Sequence, residues 1–443
     1  MFMNRPTPNR PISRRDLLAR LGKTMLLSPL LNLAVLSTSC GGSKTSTNLG
    51  PPPLTDDQFL DEIERAIFLY FWEQASVTTG QVKDRAFAAG NDSRTLSSIS
   101  ATGFGLTALC IADQRGYMAS ASIVARVQTT LNFLLSQMPN QNGFFYHFVD
   151  MNTGQRASGS EVSSIDTAIL LCGVLTCRQH FQDQQIVDLA TQLYQRINWP
   201  WMLNGGTTFS MGWTPENGFI TTRWDTYSEL MMLYLLAIGA PVNPVPASAW
   251  QAFARPTLTY QGLTYITNLY APLFIHQYSH AWFDFRSQQD AYANYFNNSI
   301  TATQAHKLFC LSLAGQFSDY SDNVWGMTAS DSVNGYVVWG GPPTIGPIDG
   351  SIVPCAAGGS LPFLSPDCIA ALRNFQSSFP NAWQRYSFVD AFNPLTGWYD
   401  TDVIGIDLGI TMLMAENQRS AFVWNTFMKN PEAVAAMTAV GFH

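Results

Sequence analysis

The sequence predicts an all-α protein that folds as a single toroidal domain. Helical periodicity dominates the chain after residue 54, and apolar helices rich in small residues alternate there with amphipathic ones. This alternation is typical of a toroid whose inner helices line a core and whose outer helices cover them. Because no low-complexity segment or change in composition follows residue 54, we expect one domain over 55–443.

The predicted helices follow this order along the chain. Buried helices, which are apolar on nearly every side, are predicted at 100–116, 163–181 and 225–240. Amphipathic helices, which suit the outer layer, are predicted at 56–75, 122–138 and 183–197. Later helices are predicted at 247–255, 298–315, 366–378, 402–416 and 420–439. The only strand-like pieces are short, at 143–150 and 334–340.

Long loops rich in aromatic residues, glycine and proline connect the later helices. They are predicted at 198–224, 265–297, 322–365 and 386–401. Loops of this length in a compact domain are usually functional. With a net charge of -7, a nucleic-acid partner is not expected, because such a partner requires a basic surface. The 13% aromatic content suits a neutral, hydroxyl-rich ligand such as a sugar, although most aromatic residues can equally fill a large core.

The first forty residues predict an export signal rather than part of the fold. A basic stretch with Arg14-Arg15 precedes a short apolar run, which resembles a twin-arginine signal, and the run ends in small residues before Cys40. We expect a signal peptide over 1–40, lipidation at Cys40 and a flexible tether over 41–54. The mature protein is then exported to the periplasm or outer membrane. Its only contact with the membrane is through this anchor.

The cysteines and histidines do not predict a metal site. None of the seven cysteines lies in a cysteine–histidine pattern with zinc spacing, and Cys355 and Cys368 could form a disulfide across a loop. His276 and His280 are four residues apart, but no matching acidic motif accompanies them. We therefore expect no metal and no cofactor.

Acidic residues at the heads of apolar helices are the candidates for chemistry. Glu161 precedes one buried helix and Asp166 opens it, while Asp225 and Glu229 are four apart and are predicted on one helix face. Glycoside hydrolysis requires two carboxyl groups that flank the scissile bond. The alternative is that these residues only cap helices, which their local pattern also fits.

The aromatic loops supply candidate sugar ligands. In 273–286, side chains of Gln277, His280 and Asp284 could bind hydroxyls or orient a carboxylate. Indole and phenol rings could stack on sugar faces. The full predicted substrate-binding set is His276, Gln277, His280, Asp284, Trp213, Trp224, Trp325, Ser330, Asp331, Tyr336, Trp398, Asp400 and Asp402.

Long motifs in the chain resemble one known family. The segments "GSEVSSIDTAILLCGVL", "LFIHQYSHAWFDFR", "WGMTASDSVNGY" and "GIDLGITMLMAENQRSAFVWNTFMKNPEA" together resemble the glycoamylase-like family, which includes the endo-β-1,2-glucanases of glycoside hydrolase family 144. The likeness runs in order from about residue 60 to the C-terminus. The resemblance implies an (α/α)6 toroid, a β-1,2-glucan substrate and an inverting mechanism without metal.

The sequence therefore predicts an exported, monomeric β-1,2-glucanase, endo-acting, with an acid/base mechanism. We expect Glu161 as the acid and Glu229 as the base, with Asp166 and Asp225 positioning or tuning them. Two alternatives remain open at this point. One is an exo-acting enzyme that releases sophorose, and the other is a non-catalytic glycan-binding lipoprotein that feeds an outer-membrane transporter. Several acids converging on one cleft would favour an enzyme, because binding alone does not require them.

Overall fold

The computed structural model describes residues 54–443, and helices make up most of its regular structure. The α-helices in this part of the chain are α1 (Asp56–Glu73), α2 (Ile99–Arg115), α3 (Ser120–Ser136), α4 (Ser164–His180), α5 (Gln184–Gln195), α6 (Trp199–Leu203), α7 (Met231–Ile238), α8 (Tyr295–Ser312), α9 (Pro354–Gly358), α10 (Ser365–Ser378), α11 (Gly405–Ser420), α12 (Phe422–Phe427) and α13 (Pro431–Ala439). Single turns of 3₁₀-helix occur at Ala247–Gln251, Leu273–His276, Tyr278–Ala281 and Pro380–Ala382.

Short strands connect the helices and pair mostly as two-stranded ladders. They are β1 (Arg85–Phe87), β2 (Leu96–Ser98), β3 (Asn140–Gln141), β4 (Phe144–Phe145), β5 (Phe148–Asp150), β6 (Val162–Ser163), β7 (Phe209–Ser210), β8 (Gly212–Thr214), β9 (Gly218–Phe219), β10 (Arg223–Trp224), β11 (Thr257–Tyr260), β12 (Leu263–Ile266), β13 (Ala329–Ser330), β14 (Val337–Val338), β15 (Trp383–Gln384), β16 (Ser387–Phe388), β17 (Phe392–Asn393), β18 (Trp398–Tyr399) and β19 (Asp402–Ile404). All of the ladders are antiparallel, and three of them, β1–β19, β2–β5 and β6–β8, lie directly before inner helices or beside them.

The most buried helices form a ring. Helix α2 packs against α4, α4 against α7, α9 against α11, and α11 against α2. The two 3₁₀ turns over 273–281 join α7 to α9: Ser279 Oγ donates to the carbonyl oxygen of Glu229 at 2.7 Å, and Gln277 Nε2 donates to that of Ala356 at 3.0 Å. These elements are apolar nearly all round because the ring buries every side of them.

Amphipathic helices cover the ring from outside. Helix α1 packs on α2 and α11, α5 on α4, α10 on α9 and α13 on α7. Their polar faces point to solvent, as the strong amphipathic pattern of α5 illustrates: Ile186, Leu189 and Leu193 are buried on one side. The alternation predicted from the sequence is confirmed for these pairs.

Three inner helices run parallel, so their N-terminal ends meet at one end of the ring. Gly103 of α2 lies against Leu170 of α4, and Gly405 at the start of α11 lies against Ala101. Helix α2 follows β2, α4 follows β6 and α11 follows β19. We call this end, made of β1, β2, β6, β19 and the first turns of α2, α4 and α11, the N-terminal rim.

Several predicted elements differ from the structure. The last helix, predicted over 420–439, is two separate helices, α12 and α13. Helix α7 begins at Met231 rather than near Asp225, because the backbone of 225–227 pairs with Ala254 through Tyr227 N–Ala254 O and Ala254 N–Asp225 O, at 2.8 and 2.7 Å. The expectation that Asp225 and Glu229 share a helix face is therefore wrong. The loops predicted over 265–297 and 322–365 also contain ring elements that are too short to give a periodic signal.

Predictions about cysteines and membranes have mixed outcomes. All six cysteines of residues 54–443 are buried thiols, so the disulfide considered between Cys355 and Cys368 is not formed. Within the same residues, no helix is long and apolar enough to cross a membrane. The signal peptide, the lipidated Cys40 and nearly all of the tether lie outside the described residues.

Two glycines bring α2 and α4 into backbone contact. A Cβ added at Gly173 would lie 2.1 Å from the carbonyl oxygen of Gly103, and one added at Gly103 would lie 2.6 Å from that of Ile169. These are backbone atoms within packed helices, so neither can move aside without displacing a helix.

We expect Gly173→Ala to destabilise the protein by about 1–3 kcal/mol, because the methyl group forces the two helices apart. Chemical denaturation monitored by circular dichroism measures this free energy of unfolding. Gly315→Ala is the matched control, since a Cβ at Gly315 meets nothing within 4 Å. Equal stability of the Gly173 variant and the wild type would contradict the close helix contact.

Candidate active site

Acidic side chains collect at the N-terminal rim because inner helices begin there. Asp166 is the third residue of α4 and Asp407 the third residue of α11. Both positions lie at the positive end of a helix dipole, which favours a carboxylate. Ser163 is the N-cap of α4, and its hydroxyl accepts from Asp166 N at 3.2 Å and donates to Asp166 Oδ2 at 2.5 Å.

The first cluster at the rim contains His147, Glu161 and Asp166, which we call the histidine cluster. His147 Nδ1 lies 3.4 Å from Glu161 Oε1 and 3.7 Å from Asp166 Oδ2. The imidazole ring stacks on Phe148, with ring centroids 3.8 Å apart. Burial alone would lower the pKa of His147, but the neighbouring carboxylates of Asp166 and Glu161 raise it to about 9. The ring is therefore a cation at neutral pH.

The second cluster contains Asp331, Asp390 and Asp400, which we call the aspartate cluster. One carboxylate oxygen from each lies within 4.8 Å of the others. Asp390 Oδ2 accepts from Asp331 N at 2.8 Å. Burial, followed by the charges of Asp407 and Asp331, raises the pKa of Asp390 well above its usual value. Burial and then the charge of Asp331 raise the pKa of Asp400 to about 7.

Arg85 connects the two clusters. Its Nε donates to Asp84 Oδ2 at 3.0 Å, and its Nη1 forms a short ion pair with Asp331. Asp84 in turn contributes to the raised pKa of His147, so it lies close enough to act on the histidine cluster. A second arginine, Arg94, holds Asp402 through two hydrogen bonds of 2.6 and 2.8 Å.

Both clusters have donor atoms close enough to hold a metal ion, but the protein supplies cations of its own there. A protonated His147 has no free lone pair to offer a metal at neutral pH. Asp331 is already paired with the guanidinium of Arg85. The residues are therefore better suited to retaining and exchanging protons than to coordinating a metal.

The structure separates the four predicted catalytic residues. Glu161 and Asp166 come together in the histidine cluster. Glu229 lies in the turn before α7 and is 1% exposed, while Asp225 is exposed on a loop, where Thr226 Oγ1 donates to it at 3.2 Å. Asp225 therefore has no contact with Glu229 of the kind that a shared helix face would give.

The predicted sugar ligands of 273–286 are mostly core residues. His276 contacts Tyr227 OH at 3.2 Å, and His280 contacts Ser299 Oγ at 3.1 Å. Burial lowers the pKa of each imidazole to about 3, so both rings are neutral. Gln277 donates to Ser360 Oγ at 2.8 Å. These three side chains are at most 3% exposed, so the structure leaves them no direct contact with a sugar.

Four other predicted sugar ligands also differ from their expected role: Asp284, Trp224, Trp325 and Ser330. Asp284 pairs with Arg286 at 2.7 Å instead of joining either cluster. Trp224 is 2% exposed and donates to Ser164 Oγ at 2.9 Å, so it anchors the start of α4. Trp325 is fully buried, and Ser330 is buried with its hydroxyl donating to Asp331 O at 3.0 Å.

Other predicted residues do lie at or near the rim. Trp213 is half-buried on β8, directly opposite Val162, the residue that follows Glu161 in the chain. Asp331 and Asp400 belong to the aspartate cluster, and Asp402 pairs with Arg94. Tyr336, directly before β14, and Trp398, on β18, are both half-buried.

Sequence reasoning missed His147, Asp390 and Arg85. His147 lies in the short piece predicted as strand-like, 143–150, Asp390 lies in the loop predicted over 386–401, and Arg85 lies in a three-residue strand. The acidic residues at the starts of the inner helices were the only sequence feature that indicated a site at the rim. His147, Asp390 and Arg85 lie in other segments and have no local sequence pattern.

Comparisons with known proteins show which proteins the chain resembles. The model of the family Glycoamylase, described as "Putative glucoamylase", matches residues 221–431. The exo-β-1,2-glucooligosaccharide sophorohydrolase (non-reducing end) of Parabacteroides distasonis is 27% identical over 86% of this chain, which spans 57% of that relative's length.

Solved structures of similar size share the fold. The endo-β-1,2-glucanase of Chitinophaga pinensis, in complex with sophorotriose and glucose, has a TM-score of 0.81 and 25% identity over 88% of this chain and 99% of its own. A protein of Bacteroides uniformis, described in the same words as the family model, has a TM-score of 0.83 and 25% identity over 89% and 99% of the two chains. Together these matches show that the chain is similar to the family Glycoamylase over residues 221–431 and to β-1,2-glucan hydrolases over most of its length.

Proposed function

We propose that the protein is a glycoside hydrolase that cleaves β-1,2-glucan by an inverting, endo-acting mechanism, and that its helix ring is an (α/α)6 toroid. The observation that carries the proposal is the pair of acidic clusters at the N-terminal rim, one of which surrounds the imidazolium of His147 while the other contains Asp400 with its raised pKa. Relatives named for endo- and exo-acting β-1,2-glucan hydrolysis support the choice of substrate.

An inverting glycosidase requires one protonated and one ionised carboxyl group on opposite sides of the sugar ring. Asp400 is half-buried and has a pKa of about 7, so it is partly protonated at neutral pH and can give this proton to the leaving oxygen. Glu161 faces the imidazolium of His147, which favours the ionised form that a base requires. This assignment reverses the role that the sequence suggested for Glu161.

The remaining carboxyl groups of the rim support these two. Asp166 shares the charge of His147 and is fixed by the N-cap serine. The charge of Asp331 raises the pKa of Asp400, which favours the protonated form of this proton donor. Glu229 is 1% exposed, which leaves little room for a water or a sugar beside it. We therefore assign it a positioning role at the start of α7.

Glu161→Gln removes the base while it preserves shape, so kcat/KM on linear β-1,2-glucan should fall by about 10²- to 10⁴-fold. New reducing ends measure the rate, and thermal melting checks that the fold is intact. Glu62→Gln on the outer helix α1 is the matched control and should keep full activity. Wild-type activity in Glu161→Gln would exclude Glu161 as a reacting group.

The pH profile tests the proton donor. If Asp400 must be protonated, kcat/KM falls as pH rises through about 7. Asp331→Asn removes a negative charge that raises this pKa, so the alkaline limb should move to lower pH. Asp284→Asn removes a carboxylate that pairs only with Arg286 and should leave the limb in place. An unchanged limb in Asp331→Asn, with activity lost in Glu229→Gln, would assign the chemistry to Glu229 instead.

A second candidate is exo-action with release of sophorose, which the name of the Parabacteroides distasonis relative favours. Product analysis of a defined β-1,2-linked oligosaccharide separates the two: endo-cleavage gives a ladder of lengths and exo-cleavage gives disaccharide alone. Proton NMR of the fresh products gives the anomer. A non-catalytic glycan-binding role predicts no new reducing ends at all.

We also propose export with a lipid on Cys40, as the sequence of 1–40 indicates. Cys40→Ala should move the protein from the membrane fraction to the soluble fraction of the cell. Fractionation followed by immunoblotting measures this shift, and Cys110→Ala, which alters a buried thiol, is the control. Equal membrane association of the Cys40 variant and the wild type would rule out the anchor.

A further inference from the structure

An exposed aromatic ring lies on the N-terminal rim beside the aspartate cluster. Phe87 is 44% exposed, although it belongs to β1, a strand whose central residue, Ala86, is fully buried. Side chains alternate across a strand, so Arg85 and Phe87 share the face opposite Ala86. Arg85 reaches from that face to Asp331. Phe87 therefore lies two residues along the strand from Arg85, about 7 Å away. Arg85 in turn pairs with Asp331 of the aspartate cluster.

The partner strand fixes the position of the ring. Phe87 lies directly opposite Asp402 in the β1–β19 ladder, so both side chains are on the same face. The guanidinium carbon of Arg94 lies 4.5 Å from the centroid of the Phe87 ring. Arg94 is itself held by Asp402 and by Asp92, whose Oδ2 accepts from its Nε at 2.8 Å. Phe87 is thus a firmly supported ring, with much of its surface left to solvent.

Beyond Arg94 the rim opens into a polar groove of about 950 Å³, which we call the rim groove. Its walls include Lys83, Arg94, Asn152 and Arg385. Most of its charges are paired: Arg385 binds Glu73, and Lys83 Nζ lies 3.9 Å from Asp92 Oδ1. Paired charges give a wall of donors and acceptors with little net field, which suits neutral hydroxyl groups better than an ionic ligand.

We propose that Phe87 is the stacking platform for the glucosyl unit next to the scissile bond, and that the glucan continues past Arg94 into the rim groove. This inference rests on the proposed function and deepens it. A glucose ring offers an apolar face of C–H groups and a rim of hydroxyls, which matches an open phenyl face beside a polar groove. An exposed phenyl ring adds little to the core, whereas Ala86 and Ala88 on either side of it are buried.

The platform should affect substrate binding more than the chemical step. Phe87→Ala should raise KM for long linear β-1,2-glucan about five- to tenfold, with kcat changed less than twofold, because the ring contacts neither reacting carboxyl group. The KM of the Phe87→Trp variant should stay within about twofold of the wild type, since the larger ring keeps a stacking face. The shortest oligosaccharide that is cleaved still places a glucosyl unit beside the scissile bond, so Phe87→Ala should raise its KM by a similar factor.

Tyr292→Ala is the matched control. Tyr292 is 47% exposed and also lies over an arginine, with Arg255 Cζ 3.9 Å from the ring centroid. Arg255 is held by Tyr295, Phe253 and Trp250, none of which belongs to either cluster. Tyr292→Ala therefore removes the same kind of contact elsewhere and should leave KM unchanged.

The outcomes separate the platform from the proposed function. An active wild type whose KM is unaltered in Phe87→Ala, or raised equally in Tyr292→Ala, would overturn the platform and leave the proposed function standing. No cleavage of β-1,2-glucan by the wild type would overturn the proposed function and the platform with it. Thermal melting of each variant checks the fold, and the Phe87→Trp rescue excludes a general loss of structure as the cause.

Discussion

The carboxyl groups gathered at the N-terminal rim cannot all be ionised, and this constraint determines the character of the site. Each buried carboxylate requires a cation, a hydrogen-bond donor or a retained proton. On one side His147 supplies a cation to Glu161 and Asp166. On the other side Arg85 is shared with Asp84, so the aspartate cluster has too little positive charge and keeps protons instead. One rim thereby presents both states that acid/base hydrolysis needs.

The helix ring makes this crowding possible. Parallel inner helices direct their N-terminal ends to the same place, and their dipoles offset part of the cost of burying acids there. The close approach of α2 and α4 at Gly103 and Gly173 brings their first turns together. At the opposite end, Arg115 binds Glu416 through hydrogen bonds of 2.8 Å, which ties α2 to α11 where the helices finish. The site is therefore built on packed helices, with only its outer wall made of loops.

Much of the ring could be predicted from the sequence, because long helices carry a periodic signal. The segment 100–116, for example, is Ile99–Arg115 in the structure, and 163–181 is Ser164–His180. Pro354–Gly358 and the turns of 273–281 were read as loop, since elements of four or five residues have no period to detect. The helix predicted over 225–240 begins too early, because Asp225 resembles an N-cap. In the structure, the backbone at Asp225 pairs with Ala254 instead.

The site was predicted only in part, for a similar reason. Glu161 and Asp166 were recognisable beside the helix they precede, whereas His147 and Asp390 reach the rim from strands far along the chain. Buried histidines such as His280 were mistaken for ligands because a sequence does not show which polar residues find partners in the core.

The proposed proton donor, Asp400, should be partly protonated at neutral pH because its pKa lies near 7. Carbon-13 NMR of protein labelled at the aspartate side-chain carboxyl carbon, recorded across pH 3 to 9, measures this directly. The resonance that disappears in Asp400→Asn identifies the group. The account predicts that this resonance titrates near pH 7. A midpoint near 4, the ordinary value for an aspartate, would contradict it.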